Sequence, residues 1–358
     1  MLSPAGLCGV ILLLLSATSC AAPPPLPGRP EKLPAAPEYE PAAKIWPDAF
    51  VKVPALVKKG SALEPAAMLG KEKVLLIAGR WSRPTFHSYD LRTKKFRTLG
   101  TAPKWTDCSA CFELRSVATS ETRIVWTVGV YRSEPWNAGK RHVELWTMPR
   151  SGGDMKLVTW LTGHDELPMD DELSIAGDDA VWRGGSHAYR VPLGGGPAQR
   201  LSVAERKAPE FPGLESLATQ CGREWCVGMV PSRRYALTEL AVLRKDGSDR
   251  RKVVAAYGKP LMNDRFGLFG GPYIGDVYDG DNPGPQPVLY DRCTDTTARI
   301  GGLLKEDPGY EMRTGGETAA APDEPILYWT SPDRKSWTVL DLSRIPDSPC
   351  QGGSVSTE

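Results

Sequence analysis

From about residue 51 onward the chain repeats itself, and that repetition constrains its fold more than any other feature. A short apolar strand recurs, usually with an aromatic residue: VLLIAG at 74, RIVWTVG at 123, DAVWRGG at 179, REWCVGM at 223, RFGLFGG at 265 and PILYWTS at 325. Each is followed by an alternating strand, often with a polar turn and another strand, as in FHSYDLRTKKFRTL at 86, ELWTMPRSGGDMKLVTWL at 144 and ELAVLRKDGSDRRKVV at 239. The pattern continues in AYRVPLGGGPAQRLS at 188, VLYDRCTDTTARIGG at 288 and SWTVLDLS at 336. Before most of the first strands lies one more, as in LRSVATSET at 114, ELSIAGDD at 172, LESLATQCG at 214 and YEMRTGGET at 310. Alternation of period two in Glu144 to Met148 reads as half-buried strand. The 36 glycines and 33 prolines among 358 residues exclude a fold of long helices.

A unit of three or four short strands has an apolar face that it cannot bury alone, so neighbouring units must stack. The expected fold is therefore all-β, a β-propeller of six blades of antiparallel strands. The motif of strand, polar Gly turn and strand ending in Leu-Ser or Val-Thr resembles the TolB-like and WD-repeat propellers. That resemblance implies an architecture over about 300 residues and assigns no activity. Trp126, Trp182, Trp225 and Trp329 fall at matching places in their repeats and read as packing residues between blades. Trp81, Trp105, Trp136 and Trp160 are less regular, and Trp136 lies in a long connection where a sugar or peptide could be held.

The first 20 residues contain an apolar run, Leu7 to Leu15, too short to span a bilayer and of signal-peptide length. Ala17-Thr18-Ser19-Cys20 resembles the lipobox of bacterial lipoproteins, which implies acylation of Cys20 and cleavage before it. The stretch departs from that family in having no Lys or Arg, and in Ala17 where Leu is usual. An ordinary signal peptide cut near residue 19 or 22 would leave a secreted chain instead. Residues 21–43 are Pro- and Ala-rich, an extended spacer that could reach roughly 70 Å. The organisation read from sequence is a signal peptide over 1–19, a lipidated cysteine and tether over 20–45, a propeller over 46–350 and a disordered tail over 351–358.

Removing Cys8 and Cys20 leaves Cys108, Cys111, Cys221, Cys226, Cys293 and Cys350. Export favours disulfides, with fifteen connectivities open. Local spacing favours Cys221–Cys226 and Cys108–Cys111, with Cys293–Cys350 tying the tail to the body. The alternatives are a zinc site built from the CSAC and CGREWC pairs, or a redox role for CSAC, which would need a strand-to-helix setting.

Forty-four Lys and Arg against 43 Asp and Glu give a net charge of +1, which argues against nucleic acid as a partner. His87, His142, His164 and His187 form no metal-type spacing. His164 opens an acidic loop with Asp165, Glu166, Asp170, Asp171 and Glu172. Asp276, Asp279 and Asp281 surround a glycine turn as calcium loops do, but without the EF-hand spacing. They are the weak metal candidates, and no cofactor is expected beyond that calcium. No nucleophile elbow, P-loop or dinucleotide fingerprint occurs, so no catalytic residue is assigned. Ser331-Pro332-Asp333-Arg334-Lys335-Ser336-Trp337 has parts of a sialidase Asp box, once and with Arg for Gly. The function expected is a lipid-anchored, non-catalytic propeller on the outer face of the bacterial cytoplasmic membrane, binding a protein or cell-envelope ligand. The alternative is a propeller hydrolase or lyase with its site at the central channel.

Overall fold

A computed structural model describes residues 32, 34–56, 62–79, 83–103, 112–130, 142–161, 171–184, 187–202, 210–215, 219–232, 236–258, 260–272, 286–301, 313–314, 326–331 and 335–346. These residues form an all-β propeller, with helix confined to Ala42–Ile45 and to short 3-10 turns such as Pro47–Ala49 and Leu342–Arg344.

The described residues contain six antiparallel four-stranded sheets. Strand β1 (Phe50–Pro54) stands apart from its sequence neighbours. Sheet 1 is β2 (Leu63–Met68), β3 (Lys73–Ala78), β4 (Thr85–Asp90) and β5 (Lys95–Thr101). Sheet 2 is β6 (Phe112–Thr119), β7 (Arg123–Val130), β8 (His142–Pro149) and β9 (Lys156–Leu161). Sheet 3 is β10 (Asp171–Ala176), β11 (Asp179–Gly184), β12 (His187–Pro192) and β13 (Gln199–Arg200). Sheet 4 is β14 (Gln220–Cys221), β15 (Trp225–Val230), β16 (Glu239–Arg244) and β17 (Arg251–Val253). Sheet 5 is β18 (Ala256–Gly258), β19 (Phe266–Gly270), β20 (Val288–Asp291) and β21 (Thr296–Arg299). Sheet 6 holds β22 (Arg313–Thr314), β23 (Ile326–Thr330) and β24 (Ser336–Asp341), and takes β1 as its fourth strand, with Phe50 opposite Leu340 and Pro54 opposite Ser336.

Within each sheet successive strands reverse direction, so connections leave from two ends. At one end, the turn end, lie tight links such as 69–72, 91–94, 150–155, 245–250 and 292–295. At the other, the loop end, lie the longer 102–111, 131–141, 162–170, 201–219, 271–287 and 300–312. The longest link at the turn end is 315–325.

The turn chemistry repeats. Asp90, Asp291 and Asp341 each close a third strand and turn a carboxylate oxygen back to accept a backbone N–H, from Thr93 at 2.7 Å, Cys293 at 3.0 Å and Ser343 at 3.1 Å. Lys94 and Asp295 then take positive φ, 58° and 52°. Gly152, at φ 87°, has a further reason to lack a side chain, because a Cβ there would stand 2.7 Å from the Leu99 carbonyl oxygen. That absence lets the sheet 2 turn sit against β5, where the Gly153 N–H donates to the Leu99 carbonyl at 3.0 Å.

The core is divided among the junctions between sheets. Phe86 of sheet 1 meets Trp126 of sheet 2 at 4.7 Å between rings. Leu145 and Leu161 meet Trp182 between sheets 2 and 3. Trp225 and Val242 meet Phe269 and Tyr290 between sheets 4 and 5. Leu289 meets Leu327 and Leu340 between sheets 5 and 6, and Tyr328 and Val339 meet Leu76 between sheets 6 and 1. The Trp337 indole N–H donates to the Leu63 carbonyl across that last junction.

Part of the stretch read from sequence as tether belongs to this body. Tyr39 donates its hydroxyl to the Val254 carbonyl at 2.8 Å, at the loop end. Arg299 N–H donates to the Glu40 carbonyl at 2.9 Å, and Pro41 bridges β21 in parallel. Ala42, Trp46 and Ala49 are then buried against sheets 5 and 6 before β1 begins. This strap touches the loop end at Val254 and Arg299 and reaches the turn end where β1 begins. The Trp alignment also shifts: Trp126, Trp182 and Trp329 are fourth in their strands, whereas Trp225 opens β15. All four are buried as packing residues.

Candidate functional site

A polar and aromatic cluster stands at the loop end of sheet 2. Alternation along β8 places His142, Glu144 and Trp146 on one face. Glu144 is buried, and both its oxygens are engaged: the Trp146 indole N–H donates to Oε2 at 2.8 Å, and His142 Nε2 lies 3.3 Å from Oε1. Trp146 stacks in turn on Trp126, with ring centroids 6.3 Å apart. Trp160, opposite Glu144 on the outermost strand β9, lies 5.3 Å from the His142 ring and is 58% exposed. The result is a line of contacts from the core to a solvent-facing indole. Keeping that ring exposed costs hydrophobic free energy, and Trp is a residue type enriched where proteins bind partners. The buried carboxylate fixes the imidazole; the indole and the free edge of His142 are what a ligand could reach.

The turn end of sheets 4 and 5 carries a different arrangement. Trp225 lies between two guanidinium groups, Arg292 at 4.1 Å and Arg244 at 5.1 Å from its ring centre. Burial, then the like charges of Arg251 and Arg244, lower the Arg292 pKa. Arg292 Nε donates to the Asp264 carbonyl at 2.7 Å, while Asp264 Oδ1 accepts from Trp225 N–H at 3.3 Å. Burial and donation to Asp295 at 2.7 Å keep the Tyr290 hydroxyl protonated. These contacts tie two sheets together and are structural.

Cys221 and Cys226 are opposite one another in the β14–β15 hairpin and are joined by a disulfide. Cys293, in the 292–295 turn, is also disulfide-bonded. Its partner, with Cys20, Cys108, Cys111 and Cys350, lies outside the described residues. So do Trp81, Trp105, Trp136, His164, Asp165, Glu166, Asp170, Asp276, Asp279 and Asp281. The strands that flank 131–141 end at the loop end of sheet 2, those that flank 162–170 at the loop ends of sheets 2 and 3, and those that flank 273–285 at the loop end of sheet 5. His87 pairs with Thr98 at 3.3 Å, and His187 stacks near Tyr189. Of the Asp-box-like segment, Ser331 Oγ bonds the Ser336 carbonyl at 2.5 Å, closing a turn. Among the described residues no three His, Cys, Asp or Glu side chains gather as a metal ion would need, and no helix is long and apolar enough to cross a membrane.

No family model and no curated protein matches the chain. Solved structures similar to it include an oligogalacturonate lyase from Vibrio parahaemolyticus, at 8% identity and a TM-score of 0.37, covering 78% of this chain and 76% of that one. A putative TolB from Agrobacterium tumefaciens is similar at 14% identity and a TM-score of 0.31, covering 78% and 90%. TolB from Acinetobacter baumannii is similar at 13% identity and a TM-score of 0.31, covering 78% of this chain and 54% of that one.

Proposed function

We propose that the chain is an exported, lipid-anchored propeller of six blades that acts without catalysis, binding a protein or cell-envelope ligand at its loop end. The observation that supports this reading best is the segregation of its connections. Most turn-end links are tight, while most of the longer ones join strand ends at the opposite end of a hydrogen-bonded frame, the usual division between scaffold and binding loops. The exposed Trp160 over the fixed His142 adds an anchor of the type found at interfaces. Acylation at Cys20 and the Pro-rich stretch that follows would hold this body outside the membrane.

The test is capture from a solubilised cell envelope by the full chain and by a Trp160→Ala variant. A ligand retained by the parent and lost by the variant supports the reading, whereas equal retention by both overturns the loop-end assignment. Turnover of an envelope glycan or peptide by the purified chain would replace binding with catalysis. For the anchor, intact-mass measurement of membrane-fraction protein decides, because an unmodified N-terminus removes it.

A further inference from the structure

The chain is nearly neutral, yet its turn end is not uniform. On sheet 1, Lys71, Lys73, Arg92, Lys94, Lys95 and Arg97 crowd the two turns and the first residues of β3 and β5, all exposed. On sheet 2, Arg123, Arg150 and Lys156 occupy the matching places. The carboxylates on the same turns and strand ends are Glu72, Asp90, Glu121 and Asp154.

The patch is continuous. Leu91 N–H donates to the Glu72 carbonyl at 2.8 Å, linking the two turns of sheet 1. Arg150 Nη1 donates to the Ser120 carbonyl at 2.7 Å, linking those of sheet 2. A Cβ at Gly70 would lie 3.7 Å from Arg150 Nη2, so the two sheets' turns adjoin.

Most of these cations have no carboxylate directly beside them; Asp90, opposite Lys73 and Lys95 in register, attracts Lys73. None of the nine forms an ion pair among the described residues, whereas at the same end of sheets 4 and 5 Arg244, Arg251 and Arg265 face Glu224, Asp249 and Asp291. Asp90 is held mainly by its turn: the Thr93 backbone N–H, then the Thr93 hydroxyl, hold its carboxyl below the usual range, with a smaller pull from Lys73. Phe96, between Lys95 and Arg97 on the outermost strand, leaves 39% of its surface exposed, with its ring 4.8 Å from Tyr89.

We infer that this patch docks on a bilayer bearing anionic lipid headgroups. Clustered Lys and Arg next to such a surface are attracted to it, and an exposed aromatic ring among them suits the boundary between headgroups and acyl chains. A soluble polyanion would use the charges and leave Phe96 without a role. The inference does not rest on acylation of Cys20, since the patch belongs to the folded body.

The experiment uses full-length chain carrying Cys20→Ser, with vesicles of phosphatidylcholine alone or mixed equally with phosphatidylglycerol. Sedimentation should show binding to the mixed vesicles that falls with added salt. Lys71→Glu, Arg92→Glu and Lys95→Glu together should weaken it by at least about tenfold, and Phe96→Ala by less. The same charge change at Arg200, Arg223 and Lys245, exposed on sheets 3 and 4, should leave binding as it was. Equal binding to both vesicle types, equal losses from the two triple variants, or binding to soluble polyphosphate but not to mixed vesicles would each overturn the proposal. Matching circular dichroism and melting curves for the variants separate loss of binding from loss of fold.

Discussion

Phe50 lies directly opposite Leu340 in an antiparallel pair, so the first strand of the body completes the sheet that its last three strands build. Phe50 also packs edge-on against Trp329 at 5.9 Å, and Leu340 is fully buried. A sheet closed this way leaves no blade free to separate without breaking pairing between the two ends of the fold. A chain beginning at Pro37 should therefore unfold at the parent's denaturant midpoint, while one beginning at Ala55 should lose the single cooperative transition. Leu340→Ala should cost about 2–5 kcal/mol.

Trp126 and Trp182 bury their indole Nε1 with no hydrogen-bond partner among the described residues. An orphaned donor is a penalty of about 1–3 kcal/mol, set against the area the ring buries. Trp182→Phe should thus stay within about 1 kcal/mol of the parent, since the lost area is offset by the removed N–H, and Trp182→Ala should cost about 3–5 kcal/mol. Denaturant unfolding of both variants reads the difference.

The Cys221–Cys226 bond closes a very short loop in the unfolded chain. Replacing both cysteines with Ala should lower unfolding free energy by about 2 kcal/mol. Alkylation of unreduced, denatured protein followed by mass analysis should leave both thiols unlabelled in the parent.

Burial lowers the His87 pKa below its ordinary value of 6.5. The folded state then prefers the neutral ring, so its contribution is present above the unfolded pKa and is lost as pH falls through the ordinary histidine range to the folded pKa. His87→Gln should flatten the acid side of the stability curve, and unfolding midpoints between neutral pH and pH 5 measure it.

The strands that announced themselves in sequence are the ones with apolar runs or two-sided alternation. Lys73–Ala78 and Arg123–Val130 are second strands buried on both faces, and 86–99 and 144–161 are their outer hairpins. Strand β2 was hidden, because Leu63–Met68 contains Glu64, Pro65 and two alanines, and its register shifts between Pro65 and Ala67. The strap was hidden for a related reason: Ala42 and Ala49 are buried, but alanine in Pro-rich surroundings carries no hydrophobic period. Pairing of β1 with β24 is a contact between opposite ends of the chain, which no local pattern encodes. At the site, the alternation from Glu144 to Met148 was visible, but not the contact of His142 with Glu144, and β9 pairs with a register shift between Leu145 and Trp146. Composition offers no sign of such a shift.

The strap also decides how the body bears load. Any pull on the segment before Tyr39 reaches the protein at the loop end, while β1 starts at the turn end. Tension must first peel the Tyr39 and Glu40 bonds one after another before it reaches the β1–β24 ladder. The propeller thus carries a short sacrificial length that can yield and re-form while the ring stays shut.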